Sequence, residues 1–109
     1  MSTILYGYIN RDNIEKLALL QDGVAVTAGA VTKAVLKFGD YCINTDDDSD
    51  QIYFLDSDNQ TVCIKIGQID SISVGRYKGT LTIYDSEAVN GLAWIKVDVK
   101  IYAWAVCPT

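Results

Sequence analysis

The sequence predicts an all-β fold, an antiparallel sandwich of about seven to nine short strands. Three observations carry that prediction. Apolar and polar residues alternate along most of the chain, the period of strands with one face on a core and one in water. Clusters of turn-forming residues recur between the alternating runs. No long stretch repeats at helical spacing.

Taken in order, "TILYGYI" (3–9) is a strand rich in β-branched and aromatic residues. "NRDN" (10–13) is a turn, because Asn and Asp close turns onto their own backbone. "IEKLALL" (14–20) also fits a helical face, but the Asp-Gly that follows is a hairpin signal and makes it a strand. In "VTKAVLKF" (31–38), Ala34, Leu36 and Phe38 share one face, and Lys33, Val35 and Lys37 the other. "GD" then turns the chain into "YCIN" (41–44). "QIYFL" (51–55) and "TVCIKI" (61–66) flank the turn "DSDN". In the second of these, Val62, Ile64 and Ile66 are expected inward, and Thr61, Cys63 and Lys65 outward. "YKGTLTIYD" (77–85) puts Leu81 and Ile83 opposite Thr80, Thr82 and Tyr84. "LAWIKVDVKIY" (92–102) is the clearest strand. Ile95, Val97, Val99 and Ile101 face one way; Trp94, Lys96, Asp98, Lys100 and Tyr102 face the other.

At 109 residues, half of them hydrophobic, the chain is expected to form one domain, 1–109, with its own core. The net charge is −5, with nine Lys and Arg scattered so that no two are adjacent. No basic stripe is visible for phosphates, so nucleic acid and anionic membrane surfaces are not expected partners. No apolar run approaches the ~20 residues of a membrane span. The start of the chain lacks a basic segment followed by an apolar one, so synthesis in a bacterial cytoplasm without a signal peptide is expected.

Cys42, Cys63 and Cys107 make an odd set at irregular spacing, not a disulfide framework. They read as small thiols in strands, with a Cys42–Cys63 bridge open if those two strands are neighbours. With no histidine, neither the usual zinc ligand sets nor a Ser-His or Cys-His nucleophile can be built. No glycine-rich phosphate loop appears. The expectation is a protein that is not an enzyme and takes no cofactor.

"GRYKG" (75–79) refines the fold. In immunoglobulin-like sandwiches, a tyrosine near the start of strand F bonds back to the backbone a few residues upstream, forming the tyrosine corner. Gly75, Tyr77 and Gly79 match its Gly-x-Tyr-x-small pattern. Gly79 stands where antibody domains carry the second cysteine, so no inter-sheet disulfide is expected. On this assignment 77–85 is strand F and 92–102 strand G. Residues 31–38 become strand B, with Val35 or Leu36 in the matching place, and the N-terminal strands supply A and its partner.

The order of these features resembles small immunoglobulin-like proteins encoded among the tail, neck and baseplate genes of tailed bacteriophages and prophages. The residues that carry it run from "RDN" (11–13) through "VTKAVLKFGDYCI", "VCIKIG" and "GRYKGTLTIYD" to "NGLAWIKVDVKI" (90–101). Gly75, Tyr77, Leu81, Tyr84, Asp85, Asn90, Gly91 and Trp94 form its sharpest part. The resemblance implies a virion or virion-assembly protein that works through contacts with other virion proteins. A homo-oligomer is expected, with an interface drawn from Tyr6, Tyr8, Tyr102 and Trp104. The alternative is an adhesion or carbohydrate-binding module on the same exposed aromatics; Trp94 is read as core.

One cluster has the spacing of metal chemistry. Asp46, Asp48 and Asp50 in "TDDDSDQ" (45–51) match the first three ligand positions of an EF-hand loop. Gln51 and Ser57 then stand where that loop needs Gly and Glu. A looser calcium site completed by Asp56 or Asp58 competes with a solvated acidic loop that blunts a strand edge, and the latter is preferred.

Overall fold

Burial along the last strand alternates as its sequence requires. Val97, Val99 and Ile101 are buried, while Lys96 and Tyr102 are exposed. The computed structural model describes residues 3–21, 24–25, 30–55 and 59–103. Its strands are β1 (Thr3–Tyr8), β2 (Glu15–Ala18), β3 (Leu20–Gln21), β4 (Val24–Ala25), β5 (Val31–Phe38), β6 (Tyr41–Asn44), β7 (Ile52–Phe54), β8 (Thr61–Ile64), β9 (Gly75–Asp85) and β10 (Leu92–Tyr102). A 3-10 turn, Ile66–Gln68, follows β8.

Eight of these strands build an immunoglobulin-like sandwich. One sheet runs β1-β10-β9-β5-β6 and the other β2-β8-β7, while β3 and β4 form a small ladder of their own. Between the sheets lies one hydrophobic core. Leu5, Leu36, Leu81 and Val99 come from the larger sheet, Ile52, Val62 and Ile64 from the smaller. Asn59 helps tie the sheets together, its side-chain amide donating to the Val31 carbonyl at 2.7 Å.

The topology corrects three expectations. Residues 31–38 are not strand B. β5 pairs antiparallel with β9 in the same sheet, from Val31 opposite Asp85 to Phe38 opposite Gly79. It therefore holds the place of strand C, and β2 in the facing sheet takes the place of B. Neither Val35 nor Leu36 can stand across the core from Gly79. Alternation identifies a strand and its buried face, but both sheets bury one face against the same core, so it cannot say which sheet a strand joins. The sandwich is also not antiparallel throughout. β1 runs parallel to β10, Thr3 beside Val97 and Tyr8 beside Tyr102, instead of pairing with the strand that follows it.

Cys63 is the third correction. Its parity does point away from the core, yet it is fully buried. β8 is the middle strand of its sheet, with Lys16 and Tyr53 in register on either side of Cys63. Burial pushes its thiol up, against the opposing charge of Lys16 and a hydrogen bond with Tyr53. Cys42 is exposed on β6 in the other sheet, and both thiols are free. Cys107 lies outside the described residues.

Two glycines mark close approaches between elements. At Gly79 a Cβ would stand 2.6 Å from the Cβ of Phe38, so only glycine lets β5 lie this close to β9. Gly39 has φ 53 in the β5–β6 turn, the left-handed backbone that tight hairpins give to glycine. A side chain there would meet the Tyr77 ring at 2.7 Å.

Candidate functional site

Three groups of side chains stand out. The first surrounds Tyr77. Its hydroxyl donates to the Ser73 carbonyl at 3.0 Å, bonding back four residues upstream. Tyr41 holds the same segment: its hydroxyl donates to the Ser71 carbonyl at 3.1 Å and accepts from the Ser73 N–H at 3.2 Å. Buried Phe38 lies beneath both rings, with centroids 5.3 Å from Tyr41 and 5.8 Å from Tyr77. Desolvation, then Tyr41 and the charge of Asp40, push the Tyr77 phenol above its ordinary range. A raised phenol pKa keeps the hydroxyl protonated as a donor, which suits a clamp on backbone. Tyr41 was not singled out from the sequence. Its signal is the residue directly after the Gly-Asp turn, which a two-residue hairpin places opposite Phe38.

The second group is the acidic loop between β6 and β7. Asn44 organises it, its side-chain oxygen accepting from the N–H groups of Asp46 and Asp47 at 3.0 and 2.8 Å. The Asp48 carboxylate accepts from the Asn44 N–H at 3.0 Å, and the Asp48 carbonyl accepts from Gln51 and Ile52. Asp48 is thus already used in closing the loop, while Asp46 and Asp50 are exposed. Among the described residues, no three acidic or thiol side chains gather in a way that could hold a metal ion. Asp56 and Asp58 lie outside the described residues. Beside the loop, Asp12, Asp50, Gln51, Tyr53, Lys65 and Gln68 line an open polar cleft of about 470 Å³. Gln68 is engaged across it, donating to the Arg11 carbonyl at 3.1 Å and to the Asp12 carboxylate at 2.9 Å.

The third group is the outer face of the five-stranded sheet. At its β1 edge Ile4, Tyr6 and Tyr102 are 42, 38 and 40% exposed. The Tyr8 and Tyr102 rings stack across the parallel pair, 6.0 Å between centroids. Three of the four aromatic interface candidates, Tyr6, Tyr8 and Tyr102, therefore come together, while Trp104 lies outside the described residues. Trp94 does not join them. A bulge between Ala93 and Ile95 shifts the β10 register, and Trp94 packs against the core.

Cations continue this face inward from its aromatic edge. Arg76 and Lys78 on β9, Lys96 and Lys100 on β10, and Lys33 and Lys37 on β5 all take the parity opposite the buried residues. They are six of the nine Lys and Arg in the chain. Residues dispersed along the sequence thus share one side of a sheet, because each occupies an alternate position on one of three adjacent strands. Asp98 is the one carboxylate at these strand positions, and it pairs with Lys78 at 3.6 Å. Arg76 and Lys100 stand directly opposite each other. Like charges so placed destabilise a sheet.

No protein-family model matches the chain, and a search of curated proteins finds no match to its sequence.

Proposed function

We propose that this immunoglobulin-like sandwich is a non-enzymatic structural or assembly protein of a phage or prophage virion, in the tail, neck or baseplate region. It acts there through protein–protein contacts. The observation that carries this reading is the exposed aromatic edge of the larger sheet. Ile4, Tyr6, Tyr8 and Tyr102 form a continuous apolar and aromatic surface on two strands whose backbone is fixed by the β1–β10 pairing. Tyrosine is enriched in protein interfaces because it offers a large rigid apolar body with one polar tip. The resemblance of its sequence-feature order to tail, neck and baseplate proteins supports this class of assembly. Its partners are other virion proteins and further copies of itself.

Mass spectrometry of purified particles from an induced host tests it. The chain is expected in the particles at a fixed ratio to tail or neck proteins. Its absence from particles, with glycan-array binding lost on Tyr6→Ala or Tyr102→Ala, would assign the same aromatics to an adhesion or carbohydrate-binding module instead.

A further inference from the structure

The outer face of the larger sheet carries opposite charge to the rest of the molecule. Its six cations and one carboxylate give it +5, so within a chain of net −5 the remainder carries −10. Arg76 and Lys100 oppose each other across β9 and β10, a local cost that an anionic neighbour would remove. Around them the face is open: the Lys78 side chain is 93% exposed, and Ile4, Arg76, Lys78, Asp98 and Lys100 line a shallow groove between β1 and β9.

We propose that this groove receives a second copy of the chain, presenting its acidic β6–β7 loop. That loop carries Asp46, Asp47, Asp48 and Asp50 with no cation between them. The Asn44 side chain holds it in a defined shape, accepting from the Asp46 and Asp47 N–H groups and donating to the Asp47 carboxylate, so it can dock as a formed surface. Apolar contact with Ile4 in the groove, and with Tyr6 in register beside Lys100, would add to the charge attraction. Groove and loop are different surfaces of one molecule, so the contact is head-to-tail. It closes into a ring or extends as a filament, according to the rotation each step imposes. A nucleic acid in the same groove would have to approach a molecule that is −10 everywhere else, whereas a second copy brings its negative surface to the positive one. The proposal rests on the part of the proposed function in which copies of this chain touch one another, and not on the virion itself.

Sedimentation velocity on the full chain, with two charge-reversal variants, tests it. The wild type should associate at about 20 mM salt and return toward 12.0 kDa at about 0.5 M salt, where charges beyond a few ångströms are screened. R76E/K100E and D46K/D50K should each remain monomeric at low salt. Mixed, they should associate again, because the intact loop of one meets the intact groove of the other. Circular dichroism and melting temperature establish that both variants are folded. Should either fail, R76Q/K100Q and D46N/D50N replace them, with weakened association as the expected result. The proposal is overturned by a wild type that is monomeric at every salt concentration. Equally fatal are association that strengthens with salt, a mixture that stays at 12.0 kDa, and folded variants that associate like the wild type. A monomeric wild type that binds a labelled single-stranded oligonucleotide, and loses it in R76E/K100E, would give the groove to nucleic acid. Detection in particles with no self-association would leave the virion reading standing and reject this one.

Discussion

Tyr41 and Tyr77 meet edge to face, their centroids 5.8 Å apart and their planes at 88°, and both hydroxyls fasten the same three-residue segment, 71–73. The connection entering β9 is therefore held by two side chains from the strands on either side of β5, where a tyrosine corner uses one.

Removing either hydroxyl should loosen that connection. Tyr77→Phe and Tyr41→Phe are each expected to lower the melting temperature by several degrees, since each leaves a backbone group short of its partner. The double variant should lose less than the sum, because Ser73 is bonded by both tyrosines through its N–H and its carbonyl. Thermal denaturation of the four proteins measures this. A Tyr77→Phe midpoint equal to wild type would count against the clamp.

Stability should depend on pH through Glu15 in a direction opposite to most carboxylates. Desolvation raises its pKa above 4.5, only partly offset by a hydrogen bond from the Tyr6 backbone. The native state therefore holds the proton more tightly than the unfolded state does. Its contribution is full below the unfolded pKa and is lost as pH rises through the folded value. Glu15→Gln should raise the melting temperature at pH 7 and change it little below pH 4.5. The same sign applies to Tyr77, whose raised pKa implies stability lost as the pH climbs past the ordinary tyrosine range, about 10. Tyr77→Phe should flatten that alkaline decline.

Millimolar Ca²⁺ should leave the melting temperature unchanged, because the Asp48 carboxylate is already bound to the Asn44 N–H. Asp48→Ala should instead destabilise the protein by about 1 kcal/mol through the lost loop bond, with or without calcium. A rise of several degrees in calcium, abolished by Asp48→Ala, would show a metal site, since a ligand that binds only the native state stabilises it.

Gly79→Ala should cost about 1–3 kcal/mol, as overpacking a filled core does. The added methyl meets the Lys37 carbonyl oxygen and the fully buried Phe38 on the paired strand. Urea unfolding checks this, and an unchanged midpoint would mean that β5 and β9 can separate without loss.

The strands were legible because alternation and turn chemistry are local. β10 spans the same residues, 92–102, in sequence and structure, and Gly39-Asp40 turns the chain where a glycine-led hairpin should. Sheet membership was not legible, since Val31 to Phe38 would alternate identically as strand B or strand C. Tyr77 could be found from its spacing to Gly75. Tyr41 could not, because its partners Ser71 and Ser73 are about thirty residues away and are reached only through the fold. The cationic face was hidden for a related reason. Lys37, Lys78 and Lys96 are far apart in a list of residues, and only the β5-β9-β10 order makes them neighbours.

The pairing of β1 with β10 also sets a schedule for biogenesis. Thr3 and Val97 are partners, so β1 has no strand beside it in the sheet until β10 has been made. β9 and β10 form the middle of the larger sheet, and until they are made β5 and β6 are a hairpin without a sheet. Contacts so distant in sequence slow folding, and they leave Ile4, Leu5 and Tyr6 without their β10 partners until residues 92–102 are made. A nascent chain stalled before residue 92 should therefore be more protease-sensitive along β1 than the chain that includes β10.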